Sequence, residues 1–292
     1  MSDNQTRISR RRMLQTTAAG ALIAAVPGRM ALGAEACCAK KKLGIALQLY
    51  SVRGDCGKDF DAALERVAGM GFDAVEFAGY HKYGGNPEGL KKKLDDLGLL
   101  AAATHIGTGS FSEGSIQKTI DFHAAIGCKY LVVPGDGRFS HPDKSKELAD
   151  IFNVAAEELK KVGMKCGYHN HTHEFKKDGD KTFWELFAER TSDDVVLQQD
   201  VGWTVAARQD PVKYIRQYPG RSQVIHCKPT VVDGGEGEIA ILGQDSVPWV
   251  EVIKACREVG GTEWLTIEQE RYPKGTPMEC VELSLAGLKK LV

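Results

Sequence analysis

The chain carries almost no net charge of either sign: 38 Lys and Arg stand against 39 Asp and Glu, leaving −1 at pH 7, with a pI near 6.7. Nucleic-acid binders usually present a basic face, so nothing electrostatic points to that partner. Beyond the N-terminal segment the sequence also lacks any uninterrupted apolar run approaching the roughly 20 residues of a membrane-spanning helix. None of its eight cysteines has zinc-finger spacing. No glycine-rich phosphate fingerprint follows the first expected strand, which argues against a doubly wound dinucleotide fold. What is present, 42% hydrophobic residues in a chain of 292, suffices for one large α/β domain or two small ones.

The cysteines fall at Cys37, Cys38, Cys56, Cys128, Cys166, Cys227, Cys256 and Cys280. An oxidising compartment would permit disulfides. Cys128, Cys166, Cys227 and Cys256, however, sit in apolar strand or helix contexts, where cysteine behaves as a small buried hydrophobe. Mostly free, buried thiols are expected, and no pairing follows from spacing.

The N-terminus departs from globular composition. Ser9-Arg10-Arg11-Arg12-Met13-Leu14 precedes an alanine-rich apolar run from Thr16 to Pro27, then Ala34-Glu35-Ala36. A basic region, a short apolar region and small residues before a cut have the layout of a secretory signal. The paired arginines after a serine look like a twin-arginine export signal, with Met13 where that motif prefers Phe. The expected organisation is a signal over residues 1–36, a linker over 37–42 and one domain over 43–292, with a periplasmic or secreted destination. Cleavage after Ala36 would leave Cys37 at the new terminus, but Ala34 and Glu35 make a poor lipobox. Such export carries folded cargo, which suits a protein that takes up a cofactor before leaving the cytoplasm.

From Leu43 onward, strand and helix patterns alternate. Strands are expected at 43–52, 73–77, 99–105, 130–134, a fifth led by Met164-Lys165-Cys166, then 195–200, 222–228 and 264–268. Helices are expected at 59–70, 87–97, 112–126, 144–162, 182–189, 211–217, 248–259 and 277–291. The first helix places Phe60, Ala63, Leu64, Val67 and Met70 on one face, and Gly71 stops it. Eight such alternations in about 250 residues match a single (β/α)₈ TIM barrel.

The fifth strand carries the densest chemistry, Gly167-Tyr168-His169-Asn170-His171-Thr172-His173-Glu174-Phe175. Strand alternation would turn His169, His171 and His173 to one face and Asn170 to the other. Barrel active sites lie at the C-terminal strand ends. Those ends read Glu76, His105, His169 with His171, Asp200, His226 with Lys228, and Glu268 with Glu270. Burying unpaired charge is costly, so ionisable groups converging on one barrel mouth usually share a cation.

With these pieces in order, the chain resembles the xylose-isomerase-like barrel superfamily, in the broad group of sugar phosphate isomerases and epimerases, related also to endonuclease IV barrels. The matching pieces are YHNHTHEF, QQDVGW, Asp210-Pro211, Tyr218-Pro219-Gly220-Arg221, Ile225-His226-Cys227-Lys228 and Ile267-Glu268. The resemblance covers the chain from about Leu43 to the end. It implies one divalent cation held by His169, Asp200, His226 and Glu268; the mixed donor set suits Mn²⁺, Zn²⁺, Co²⁺ or Fe²⁺ without choosing among them. Many relatives have Glu on strand five, where it both binds metal and moves the substrate proton. In this chain that position is His169, with His171 the alternative if the register shifts by two.

The implied chemistry is Lewis-acid stabilisation of an enediolate formed from a sugar or keto-sugar. Glu268 is the candidate base, with Glu174 or a histidine of the motif on the opposite face. Lys228 would neutralise oxyanion charge. Glu76, His105 and His171 would bind substrate hydroxyls, and Trp203 or Trp264 would wall a sugar face or pack in the core. The first expectation is therefore an exported isomerase or epimerase. The second is a lyase or hydratase on keto-sugars or 3-keto-glycosides, as relatives that dehydrate inososes suggest. A third is a non-catalytic sugar-binding barrel, since fold does not fix function. An endonuclease fails on neutral charge and a single-metal ligand count. Assembly into a homo-oligomer is left open.

Overall fold

The computed structural model describes residues 42–234 and 237–292; the expected signal and nearly all of the linker lie outside them. Strands β1 (Gly44–Gln48), β2 (Ala74–Phe77), β3 (Leu100–His105), β4 (Tyr130–Val133), β5 (Lys165–His169), β6 (Val196–Gln198), β7 (Val224–Cys227) and β8 (Trp264–Ile267) form one sheet. All pair in parallel, in the order β6-β5-β4-β3-β2-β1-β8-β7. The remaining seam joins β6 to β7. There Asp200 and His226 form a parallel bridge, Leu197 N donates to Arg221 O at 2.8 Å, and His226 N to Gln199 O at 3.0 Å. The architecture is the expected (β/α)₈ barrel.

A parallel barrel covered by helices buries both strand faces, so its strands read as near-continuous apolar runs. Tyr-Leu-Val-Val of β4 is such a run and is wholly buried. The outer helices are α1 (Phe60–Met70), α2 (Pro87–Leu97), α3 (Ile116–Ala125), α4 (Lys144–Lys160), α5 (Phe183–Arg190), α6 (Pro211–Gln217), α7 (Trp249–Ala255) and α8 (Pro277–Lys289). In α1, Phe60, Ala63, Leu64 and Val67 are buried, while Met70 is only partly so. Asp59 caps its start by accepting from Ala62 N, and Gly71 ends it at φ 83°, a left-handed conformation natural to glycine. Thr182 with Glu185 and Thr276 with Glu279 start α5 and α8 as capping boxes, each partner satisfying an amide that the helix leaves open.

The structure departs from the sequence expectation at several strand ends. β1 stops at Gln48 because that side chain accepts from Tyr50 N at 3.0 Å, turning Leu49–Val52 into a 3₁₀ turn and Arg53–Lys58 into a short helix. β5 stops at His169, and His173–Phe175 is a 3₁₀ turn, so the alternation does not carry His173 along a strand. Another short helix, Val201–Ala206, follows β6 directly. Cys56, Cys128, Cys166, Cys227, Cys256 and Cys280 are free and buried, as expected; Cys37 and Cys38 lie outside the described residues. No described helix is long and apolar enough to cross a membrane.

The Val201–Ala206 helix lies hard against the end of β7. A Cβ on Gly202 would stand 2.3 Å from Lys228 O and 2.5 Å from Thr230 Oγ1. Overpacking of this kind costs about 1–3 kcal/mol. Gly202→Ala should therefore lower the thermal midpoint by roughly 2–4 °C for each kcal/mol lost. An unchanged midpoint in a melting experiment would show that the helix is free to move away from Lys228.

Candidate metal centre at the barrel mouth

Four side chains from the last four strand ends meet in the barrel mouth. His169 ends β5, Asp200 follows β6, His226 lies in β7 and Glu268 follows β8. All are buried, and one ligand atom from each lies within 4.8 Å of the others. Asp200 divides its carboxylate between two tasks. Oδ1 accepts from Trp203 N at 2.8 Å and caps the Val201–Ala206 helix. Oδ2 is buried without a hydrogen-bond partner, 4.0 Å from both His169 Nε2 and His226 Nδ1.

A buried carboxylate oxygen with no donor is expensive, and a cation at this point would satisfy it. The donors are two imidazole nitrogens and two carboxylates, a set that suits borderline divalent ions. These residues fit the metal that the sequence implied. His171 stays outside the cluster. Its ring centroid is 5.0 Å from that of His169, and it forms part of the pocket wall.

Electrostatics within the group are strongly coupled. Burial pushes the Asp200 carboxyl up. Burial also works against charge on Glu268, but Lys228 and His226 outweigh it and hold that carboxyl low. His169 is driven well below the usual imidazole range by burial, then by His226 and His105, so it is neutral and available as a ligand. Lys228 is kept charged against its burial by Glu268, Asp200 and Glu270. Its Nζ lies 3.1 Å from Glu268 and 3.8 Å from Asp200, hydrogen-bonds Glu270, and sits 5.1 Å above the Trp203 ring.

A pocket of about 560 Å³ opens over this cluster. Its lining is polar at His105, His169, His171, Glu268 and Glu270 and apolar at Ala78, Ile106 and Pro134. Tyr50 stands at the edge, 42% exposed. His105 and His171 thus sit where a substrate hydroxyl could reach them.

Two expected substrate or proton-transfer residues are placed differently. Glu76 is fully buried below the pocket and accepts from Gln48, Gln198, His105 and His226. Glu174 is also fully buried. It accepts from His171 N at 2.9 Å and Tyr168 OH at 3.4 Å, with His173 Nε2 at 3.1 Å. It supports the loop rather than facing the cavity. Trp203 does belong to the site, 5.7 Å from the His171 ring. Trp264 lies at the start of β8, its ring against Gly44, at the opposite end of the barrel from the mouth.

Gln48 and Gln198, which the strand patterns alone did not single out, bind Glu76 directly. Each is an amide in an otherwise apolar strand, and a buried amide must find partners; that is the signal by which they could have been found. Glu270 stood in the sequence only as a neighbour of Glu268, but it lines the pocket and pairs with Lys228.

Eight parallel strands carry at their C-terminal mouth an imidazole–carboxylate cluster that could hold a divalent cation. Residues 64–291 match the xylose isomerase-like TIM barrel, and the chain belongs to that family. It is 22% identical over 252 residues to inosose dehydratase of Geobacillus kaustophilus (strain HTA426), covering 73% of this chain and 80% of that one. Among solved structures, a sugar phosphate isomerase/epimerase from Parabacteroides distasonis aligns with a TM-score of 0.70 at 29% identity, over 85% of this chain and 98% of the other. The fold also matches an L-ribulose 3-epimerase, with a TM-score of 0.62 at 16% identity over 85% and 94% of the two chains.

Two outcomes follow from the buried carboxylates. Saturating Mn²⁺, Co²⁺ or Zn²⁺ should raise the thermal midpoint of chelator-stripped protein, by about 2.7 kcal/mol of stability at a hundredfold excess over Kd. Asp200→Asn should erase most of that gain. A cation-independent midpoint in the parent would refute the centre. Separately, burial raises the Glu174 carboxyl from 4.5 to about 7. Between those values the folded protein keeps a proton that the unfolded chain has released, so this contribution to stability is complete below the unfolded value and lost as pH rises through the folded one. In urea titrations, Glu174→Gln should flatten the fall in stability between about pH 5 and about pH 8. An unchanged slope would show that Glu174 is not the group responsible.

Proposed function

We propose that this protein is a divalent-metal-dependent enzyme that moves a proton beside the carbonyl of a sugar or keto-sugar, acting as an isomerase or epimerase. The observation that carries this reading is the unpartnered Asp200 Oδ2, buried among His169, His226 and Glu268, of which His169 and Glu268 line an open pocket. A cation bound by these four residues would supply Lewis acidity to a carbonyl and an adjacent hydroxyl.

The chain's own groups divide the remaining work. Glu268 and Glu270 form the carboxylate side of the pocket, and Glu268 is the candidate base. The Lys228 ammonium hydrogen-bonds Glu270 and lies 3.1 Å from Glu268, where it favours the ionised form of Glu268 and offers positive charge to a developing oxyanion. Across the pocket, His105 and His171 can exchange protons with substrate hydroxyls. His105 is held in place at Nε2, which lies 2.8 Å from both Gln198 Oε1 and Glu76 Oε1. Ala78, Ile106 and Pro134 give an apolar wall that limits water at the reacting carbon.

A second reading is elimination of water or an alcohol from a keto-sugar. It is favoured by the likeness to inosose dehydratase and by the withdrawal of Glu174 from the cavity, which leaves imidazoles on the strand-five side. A carboxylate base on one side and an imidazole acid on the other suit loss of a leaving oxygen. The twin-arginine-type N-terminus leads us to place the reaction outside the cytoplasm, where unphosphorylated sugars are the more suitable substrates.

Incubation of metal-loaded protein with keto-sugars in D₂O separates these readings. Deuterium incorporation with the substrate's composition retained supports isomerisation or epimerisation. A product lighter by water or an alcohol supports elimination. His226→Ala and Glu268→Gln should abolish either activity with the barrel intact by circular dichroism; near-normal turnover in either variant would overturn the assignment. No turnover of any sugar by the metal-loaded parent would favour a binding barrel instead.

A further inference from the structure

Glu76 occupies an unusual place. It sits in β2, is fully buried, and has four polar neighbours converging on one carboxylate. Oε1 accepts from Gln48 Nε2 at 2.9 Å and lies 2.8 Å from both His226 Nε2 and His105 Nε2. Oε2 accepts from Gln198 Nε2 at 3.0 Å. Gln198 cannot be turned over without loss, because its Oε1 lies 2.8 Å from His105 Nε2. The direction of every donor in this circuit is therefore fixed: the glutamines donate NH₂ to Glu76, and the two imidazoles turn Nε2–H toward it.

An imidazole has one ligating nitrogen when its other nitrogen carries the proton. The opposite edge of His226, Nδ1, faces Glu268 at 3.0 Å and Asp200 Oδ2 at 4.0 Å. We infer that Glu76 is the positioning residue of the metal centre: by holding the proton on His226 Nε2 it makes Nδ1 the ligating atom and fixes the ring plane toward Asp200 and Glu268. This rests on the metal-binding reading above. It assigns Glu76, from a strand that supplies no ligand, to the retention of the cation rather than to substrate contact. Outer partners of this kind change metal affinity by about ten- to a hundredfold when removed.

The test uses Co²⁺ and Zn²⁺ on the chelator-stripped protein. Titration of Co²⁺ by its visible absorption should give a Kd about ten- to a hundredfold weaker for Glu76→Gln than for the parent. An equal Kd accompanied by a lower melting point would reduce Glu76 to a purely structural role and overturn the inference. Because the variant leaves an amide among amide donors and could fail to fold, a second measurement uses the parent alone. With Zn²⁺ bound, ¹⁵N-imidazole spectra should show His226 protonated at Nε2 and metal-bound at Nδ1; ligation through Nε2 would overturn the inference. A parent protein that binds neither ion would overturn the metal centre itself, and this role with it.

Discussion

The seam between β6 and β7 is the contact on which both the fold and the site depend. An eight-stranded parallel sheet left open there would expose two edges of unpaired backbone. The seam is short, because β6 has only three residues, and each end is tied by side chains. At the N-terminal end the buried Arg221 guanidinium donates to Val195 O at 2.9 Å, Ala188 O at 2.6 Å and Thr191 Oγ1 at 2.8 Å. At the C-terminal end Asp200 and His226 bridge the two strands. Asp200 N donates to Asn170 Oδ1 at 3.0 Å, and Thr204 Oγ1 donates to Asp200 O at 2.7 Å. Asn170 thus ties the end of β5 to the seam. Two of the four candidate ligands are therefore backbone partners in barrel closure, and their geometry is set before any cation arrives.

The centre tolerates so much buried charge because almost every group has a counterpart. Glu76 faces His226 and His105, and Lys228 faces Glu268 and Glu270. Such pairs repay their desolvation only when geometry and additional hydrogen bonds are good. For Glu76 they are, since the two glutamine amides complete its shell. Asp200 Oδ2 and His169 Nδ1 have no hydrogen-bond partner, and Lys228 Nζ comes no nearer to Asp200 Oδ2 than 3.8 Å. An unmet acceptor beside pocket-lining groups is what a preorganised binding site looks like when its supporting contacts are made by the protein and its last one is left to a ligand.

Much of this was legible in the sequence, for identifiable reasons. The strand and helix periods placed α2 and α6 at their observed bounds, Pro87–Leu97 and Pro211–Gln217, because each starts with a proline after an Asn or Asp cap. Ionisable residues at the ends of apolar strands marked the barrel mouth, since stability alone would not place them there, and the family resemblance singled out His169, Asp200, His226 and Glu268 among them. What the periods could not supply was depth along the barrel axis. Glu76 and His105 both lie at strand ends, yet one is beneath the cluster and the other in its wall. Glu174 looked available for proton transfer because it follows three histidines, but the 3₁₀ turn at His173 rotates it inward onto Tyr168. Trp264 stands away from the site for the opposite reason: it begins its strand, and only strand ends reach the mouth.

The histidine on strand five also alters the charge of the centre, independently of which reaction follows. With a divalent cation bound, the carboxylates of Asp200 and Glu268 would balance its charge to zero net charge, and His169 and His226 would ligate as neutral imidazoles. A glutamate in place of His169 would leave an excess of one negative charge at the same point. The interaction between charges a few ångströms apart is large in a buried site, even at an effective dielectric near 20. The neutral set therefore repels a substrate oxyanion less, and Lys228, 3.8 Å from Asp200, shifts the balance further in the same direction. What the substitution gives up is a carboxylate base on that face. The chain keeps Glu268 and Glu270 together after β8 and sets His105 at the end of β3 and His171 after β5, so carboxylates and imidazoles reach the pocket from different strands.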